Sequence, residues 1–334
     1  MPASKHVGRN PPTVSIITGI YNSAGYLENY FRMLELQTYQ DWEVILVDDG
    51  SQDASCQMIE DHAKKDPRIR LVKKSPEGFP SRSRAVGLSL AKGKLVAFCD
   101  HDDFWSPQKI EFQLEVFKRH PDASIVHTDR TVWTSLEHPS KYFSFEGQAW
   151  EIPITLQPPE QVIYQGLQII FSSFMGPTEL VRQVGFHPDL KGVDDFYLFV
   201  RLAQLGAIYQ VALPLTYYLA HAGNLSHEKN IFVAGFYNVH EALKKDDVPQ
   251  IVRNSILAQA CRTEAVSLFA TDRPKALRLL GKSLSLYFIP STLNRLLFLL
   301  VTFFIPKLIQ QKIFRLVKFV KFKIPHLRDL WRQP

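Results

Sequence analysis

The chain has 334 residues, 46% of them hydrophobic and 12% aromatic, enough to bury a full core, which argues against a disordered protein. Three cysteines, Cys56, Cys99 and Cys261, form no Cys-x-x-Cys pair and are odd in number, which argues against a disulfide framework or a structural zinc and for a reducing cytosol. The net charge of +6 belongs to one end: from Arg295 onward nine Lys/Arg stand against one acid, Asp329, so the remainder is slightly acidic.

The opening stretch MPASKHVGRNPP carries no apolar h-region, so the expectation is an intracellular protein. Next, two periods alternate. TVSIITGIY (13–21) predicts a strand and AGYLENYFRMLELQ (24–37) a helix; EVILVDD (43–49) predicts a buried strand and DASCQMIEDHAKK (53–65) a helix. IRLVKK (69–74) reads as a strand, SRAVGLSLAKG (83–93) as a helix and KLVAFCD (94–100) as a strand. Strands that alternate with helices and lack polar faces predict a parallel sheet covered on both sides, with ligands at the carboxyl ends of its strands. Both early acidic clusters fall at such ends: Asp48 and Asp49, then Asp100, Asp102 and Asp103.

From about 104 to 230 the pattern loosens, apart from a helix over 194–205. ILAQACRTEAVSLFA (256–270) and PKALRLLGKSLSLYF (274–288) predict paired amphipathic helices, with Asp272 and Pro274 between them. The domain expectation is a catalytic domain over 12–230, a helical extension over 231–290 and a basic tail over 291–334.

In an extended segment residues i and i+2 share a side, so Asp100 and Asp102 are expected to face one way and His101 the other. Two hard oxygen donors at a strand end suit Mg²⁺ or Mn²⁺ bridging a substrate diphosphate. The alternative is an acidic turn capping a helix that begins near Ser106 and Pro107. In VDDGS (47–51) a carboxylate can accept hydrogen bonds from a nucleobase or ribose, and Asp49 is the choice over Asp48; ordinary Asp-Gly-Ser turn chemistry is the alternative. In GVDDFYLFVRLAQLG (192–206) the helix pattern assigns Asp194 as N-cap and Gly206 as the residue past the C-cap, leaving Asp195 in the first turn as a candidate general base.

Taken together and in order, VSIITGIYNSAGYLENYFRMLELQTYQDWEVILVDDGSQD, SRAVGLSLAKGKLVAFCDHDDFWSPQKIEFQ and GFHPDLKGVDDFYLFVRLAQLG resemble the family 2 glycosyltransferases over roughly residues 12–230. The resemblance implies an α/β GT-A fold, a Rossmann-like mixed, mainly parallel sheet with a C-terminal helical extension. It also implies inverting transfer of a sugar from a nucleotide-diphosphate donor to a saccharide or lipid-linked acceptor. In that pattern Asp100 and Asp102 match the Asp-x-Asp metal motif for Mn²⁺ or Mg²⁺, and Asp49 matches the acid that meets the nucleoside. Tyr21 lies where an aromatic lines the base pocket, and Arg84 matches the arginine before the metal strand. Asp195 matches the catalytic base, with Asp194 where Glu is usual. Trp105, Pro107 and Lys109 continue a DDxWxPxK signature, Ser172 and Ser173 resemble a small polar pair before the acceptor-side segment, and His221 matches a late histidine. Gly19, Ala85 and Leu219 depart from the pattern on the donor side.

RLLFLLVTFFIP (295–306) is too short for a spanning helix, which needs about 20 residues. QKIFRLVKFVKFKI (311–324) places Ile313, Leu316, Val317, Val320 and Ile324 on one stripe flanked by cations, which suits the anionic cytoplasmic face of the cell membrane. A hairpin packed on the catalytic domain is the alternative; a nucleic-acid partner fits poorly, because the cations alternate with large aliphatic side chains. A catalytically silent scaffold of the same fold and a nucleotidyltransferase are the rival functions. The latter lacks a Gly-rich phosphate loop with Lys in TGIYNSAGY.

Overall fold

The computed structural model describes residues 11–135, 152–158, 169–187, 189–190, 192–224, 229–268 and 271–287. The chain divides into two units, Met1–Glu228 and Lys229–Pro334.

The first unit opens with β1 (Val14–Ile20), α1 (Ala24–Glu35), β2 (Trp42–Asp48), α2 (Ser55–Lys65), β3 (Ile69–Lys73), α3 (Pro80–Leu90) and β4 (Leu95–Phe98). β1 lies between β2 and β4, and β3 lies outside β2, all parallel. Residues from both faces of β1 and β2, such as Ile16, Ile17, Ile45 and Leu46, are fully buried, as expected for strands covered on two sides. The carboxyl ends of β1, β2 and β4 therefore share one edge of the sheet.

After β4 the sheet turns mixed. β5 (Phe104–Trp105), α4 (Lys109–Arg119), β6 (Ala123–Trp133), β7 (Ile154–Gln157), a 3₁₀ turn (Phe171–Ser173), β8 (Phe174–Pro177), α5 (Thr178–Val184), α6 (Asp194–Leu202) and β9 (Ala207–Leu219) follow. β8 pairs antiparallel with both β4 and β6, β9 runs parallel to β6, and β5 and β7 add antiparallel to β9. The order β3-β2-β1-β4-β8-β6-β9-β5 makes one sheet, mainly parallel in its first half.

Boundaries moved where local chemistry outweighed periodicity. α3 begins at Pro80, whose fixed φ suits a first turn, rather than at Ser83. α6 stops at Leu202, and Gly206 instead lets the chain press against the next segment: a Cβ there would lie 2.6 Å from the Asp122 carbonyl oxygen.

The second unit contains α7 (Lys229–Leu243), α8 (Gln250–Leu268) and α9 (Arg273–Leu286). Ala265, Ala276 and Leu280 are buried between α8 and α9, and Asp272 caps α9 by accepting the Lys275 N–H at 3.0 Å. The basic tail expected over 291–334 lies outside the described residues. Among the described residues no helix is long and apolar enough to cross a membrane.

Candidate active site

The second acidic cluster is a turn. The Asp103 N–H donates to the Asp100 carbonyl at 3.1 Å, so 100–103 is not extended and the expectation that Asp100 and Asp102 share one side fails. Their partners diverge. Asp100 Oδ1 accepts from Arg84 Nη2 at 2.7 Å, whereas Asp102 Oδ2 lies 2.9 Å from His221 Nε2 and 3.4 Å from Asn224 Nδ2. Asp103 is buried and accepts the Leu219 N–H at 3.1 Å; burial and the neighbouring Asp102 and Asp100 push its carboxyl well above the usual range. His101 meets Tyr26 edge-on, ring centroids 5.5 Å apart.

Arg84 is the hub. It is buried on α3, its guanidinium 4.0 Å over the Phe171 ring, with Nη2 on Asp100 and Nη1 donating to Asp194 Oδ2 at 3.2 Å. α3 reaches this position because Gly87, on the following turn, packs directly on β1; a Cβ at Gly87 would lie 2.4 Å from Ile17 Cγ2. Asp194 is therefore not the N-cap that the helix pattern assigns. It is the first residue of α6, Val193 stands at the cap, and the Asp194 side chain turns inward to the guanidinium. Burial raises its pKa and Arg84 opposes the rise. Asp195, on the same turn, is only partly exposed; burial and the adjacent Asp194 raise its carboxyl to about 7. That value suits a group that exchanges a proton near neutrality.

The serine pair is buried and structural in its contacts. Ser172 Oγ accepts the Asp100 N–H at 3.0 Å, its carbonyl accepts from Trp105 Nε1 at 2.7 Å, and Ser173 Oγ donates to the Ile170 carbonyl. Lys109, fully buried, sits 3.9 Å over the Trp105 ring and donates to Gln113; burial lowers its ammonium to about 7.

At the end of β2, Asp48 accepts the Gly50 and Ser51 N–H groups, an Asp-Gly-Ser turn. Asp49 is buried and already partnered: Lys74 Nζ donates to Oδ1 at 2.5 Å, Glu77 N–H to Oδ1 at 2.9 Å and Gly78 N–H to Oδ2 at 2.7 Å. Burial disfavours its charge, yet those donors hold the carboxyl below its usual range. It thus ties loop 74–78 to the sheet, helped by Gly50, whose φ of +86° and lack of a Cβ admit Pro76. Tyr21 follows β1 with 58% of its surface exposed. Its loop is tied to the segment after β2: Asn22 N–H donates to Ser51 Oγ, Ser23 N–H to Ser55 Oγ and Ala24 N–H to Asp53 Oδ2. Asn22, Ser55, Asp53, Tyr26 and Asn224 were not identified from sequence, because each acts through a partner far along the chain.

Asp100 and Asp102 can serve a divalent ion. Asp102 directs both described bonds through Oδ2, and the Asp100 side chain is 40% exposed, so hard oxygen donors remain. Among the described residues no group of three or more His, Cys, Asp or Glu is arranged to hold an ion. Two carboxylates fit an ion that takes its remaining ligands from water and phosphates.

Residues 15–176 match the sequence model of Glycosyl transferase family 2. A putative teichuronic acid biosynthesis glycosyltransferase, TuaG of Bacillus subtilis, is 38% identical over 104 residues, covering 31% of this chain and 41% of that protein. Among solved structures, S. aureus TarS 1–349 in complex with UDP-GlcNAc superposes with a TM-score of 0.60 at 18% identity, covering 85% of this chain and 83% of that one. The mannosyltransferase PcManGT from Pyrobaculum calidifontis, in complex with GDP-Man and Mn²⁺, superposes with a TM-score of 0.58 at 16% identity, covering 90% and 84%. These likenesses establish the GT-A fold. The chain spans between 20% and 42% of the length of the first curated relatives it matches.

Proposed function

We propose that the protein transfers a sugar, with inversion, from a nucleotide-diphosphate donor to a saccharide or lipid-linked acceptor in cell-surface polysaccharide synthesis. The observation that carries this reading is Arg84, which joins Asp100 on the donor side to the Asp194–Asp195 turn. The match to the family 2 sequence model and the teichuronic acid relative support the reaction class. The UDP-GlcNAc and GDP-Man complexes of the structural neighbours support a nucleotide-sugar donor.

Asp195 takes the proton from the acceptor hydroxyl, which then displaces the nucleotide from the opposite face of the anomeric carbon. A carboxyl titrating near 7 is ionised often enough to accept that proton and basic enough to hold it. Arg84 opposes the rise that burial imposes on the Asp194 carboxyl and fixes the turn that carries Asp195. Asp100 and Asp102 would hold a Mn²⁺ or Mg²⁺ ion, which when bound offsets charge on the departing diphosphate. The exposed Tyr21 ring offers a stacking face to the base, and Asp49 orders the loop beside it. The basic tail over 291–334 holds the enzyme on the cytoplasmic face of the membrane, where a lipid-linked acceptor would lie.

The test is calorimetric titration of the full chain with UDP, GDP and dTDP, each with and without Mn²⁺, beside Asp102→Ala. Metal-dependent binding of one nucleotide, lost in the variant, supports the proposal and identifies the donor class. Folded protein that binds none of them refutes it and favours a silent scaffold.

A further inference from the structure

We infer that a cavity at the edge of the sheet opposite the acids is a second, non-catalytic site for a neutral saccharide, in which the Trp42 indole N–H donates to a sugar oxygen.

The cavity lies between α1, α2 and the starts of β2 and β3. It encloses about 460 Å³, and its walls include Phe31, Leu34, Glu35, Trp42 and His62. A second space of about 420 Å³ shares Phe31, Glu35 and His62 with it. Both fall within the size range of small-ligand sites, roughly 300–1,000 Å³. Trp42 and Asp48 are the first and last residues of β2, so the length of that strand, roughly 20 Å at about 3.3 Å per residue, separates the cavity from the acidic edge.

The lining selects a class of ligand. Trp42 is 2% exposed, and its Nε1 is buried with no hydrogen-bond partner among the described residues. A buried donor left unpaired is costly, so the site calls for an acceptor atom. That atom does not belong to an anion. Along the two spaces Glu28, Glu35 and Asp66 balance Arg32, Lys65 and Arg68, which leaves no net charge to attract a phosphate or a nucleotide. Arg68, the cation with the best geometry for an anion, is already engaged. Its guanidinium lies 3.8 Å over the Trp42 ring, Nε and Nη2 donate to Asp66 at 3.0 and 2.7 Å, and Nη1 donates to the Gln40 side chain at 2.7 Å.

An apolar ligand fails for the opposite reason, because it leaves the indole N–H unpaired and sets carbon against the Glu35 carboxylate. A sugar meets both demands. Its hydroxyls accept from the indole and donate to Glu35, while its carbon skeleton rests against Leu34 and the stack of His62 on Phe31, whose ring centroids are 3.9 Å apart and whose planes are 17° from parallel.

The experiment is a titration of the isotope-labelled full chain with glucose, galactose, mannose and N-acetylglucosamine, and separately with UDP and inorganic phosphate, read by nuclear magnetic resonance at the indole N–H signals. The chain has five tryptophans, and the signal missing from Trp42→Phe belongs to Trp42. Triple-resonance assignment identifies that signal if the variant does not fold. At least one sugar should move it saturably at millimolar concentration, and saturating UDP should neither move it nor compete with the sugar. Glu35 is exposed, so Glu35→Ala leaves the core intact, and it should weaken sugar binding roughly 3–10-fold. A Trp42 signal that no sugar moves even in large excess would mean that water alone satisfies the indole, and would overturn the inference. So would a signal that moves with phosphate or UDP, or a sugar affinity unchanged in Glu35→Ala. Because the readout is at Trp42, a protein that binds these sugars but no nucleotide would count against the proposed function and leave this site standing.

Discussion

Arg84 and Asp194 lie 110 residues apart in sequence and meet inside the protein, Nη1 donating to Oδ2 at 3.2 Å. Because the other guanidinium nitrogen holds Asp100, one buried cation serves two carboxylates. Removing it leaves uncompensated charge, so Arg84→Ala should lose about 3–5 kcal/mol of stability. Arg84→Lys, a single point donor, should keep much of the stability but lose transfer, since it cannot reach both carboxylates in the same geometry. Denaturant melts and a transfer assay on both variants check this.

Asp195 predicts a pH profile. A base titrating at about 7 makes kcat/KM rise as pH increases toward 7 and level off above it. The same shift has the opposite sign for stability. The folded value is raised above that of the unfolded chain, so the folded state binds the extra proton and stability falls as pH rises from the ordinary aspartate range to about 7. Asp195→Asn should abolish most transfer, a loss of roughly 10²–10⁴-fold, retain UDP binding, and melt higher than wild type at pH 8. A variant that keeps its turnover would remove Asp195 from the role of base.

Asp49 should act through loop 74–78. Its lowered carboxyl contributes stability that is complete above the ordinary aspartate range and lost as pH falls through the folded value. Asp49→Asn should therefore show a shallower acid-side loss. Amide exchange at Glu77 and Gly78, which donate to Asp49, should quicken in Asp49→Ala even without nucleotide.

Ser172 holds the Asp100–Asp103 turn through the Asp100 N–H. Ser172→Ala leaves the Asp100 N–H without that acceptor, at a cost of about 1–3 kcal/mol, and should weaken Mn²⁺ binding although the serine is no ion ligand. Ser173→Ala, which disturbs only the local 3₁₀ turn, should leave Mn²⁺ affinity close to wild type.

By itself, the sequence determined the alternating strands and helices of the first hundred residues and the sheet edge on which the acids gather. Those depend on local hydrophobic period and on turn residues such as Asp48 and Gly50, which act within a few positions. It also carried the order of the three stretches that resemble the family 2 glycosyltransferases. Only the tertiary structure decided what each acid does. Asp100 and Asp102 diverge because a turn closes between them, Asp194 faces Arg84 instead of capping its helix, and Asp49 is occupied by a loop 25 or more residues away. Ser172 under Asp100 and His221 against Asp102 are separated by 72 and 119 residues, respectively. A side chain's partner across such separations is set by how helices and strands pack on the finished sheet, and no local pattern of residues encodes that distance.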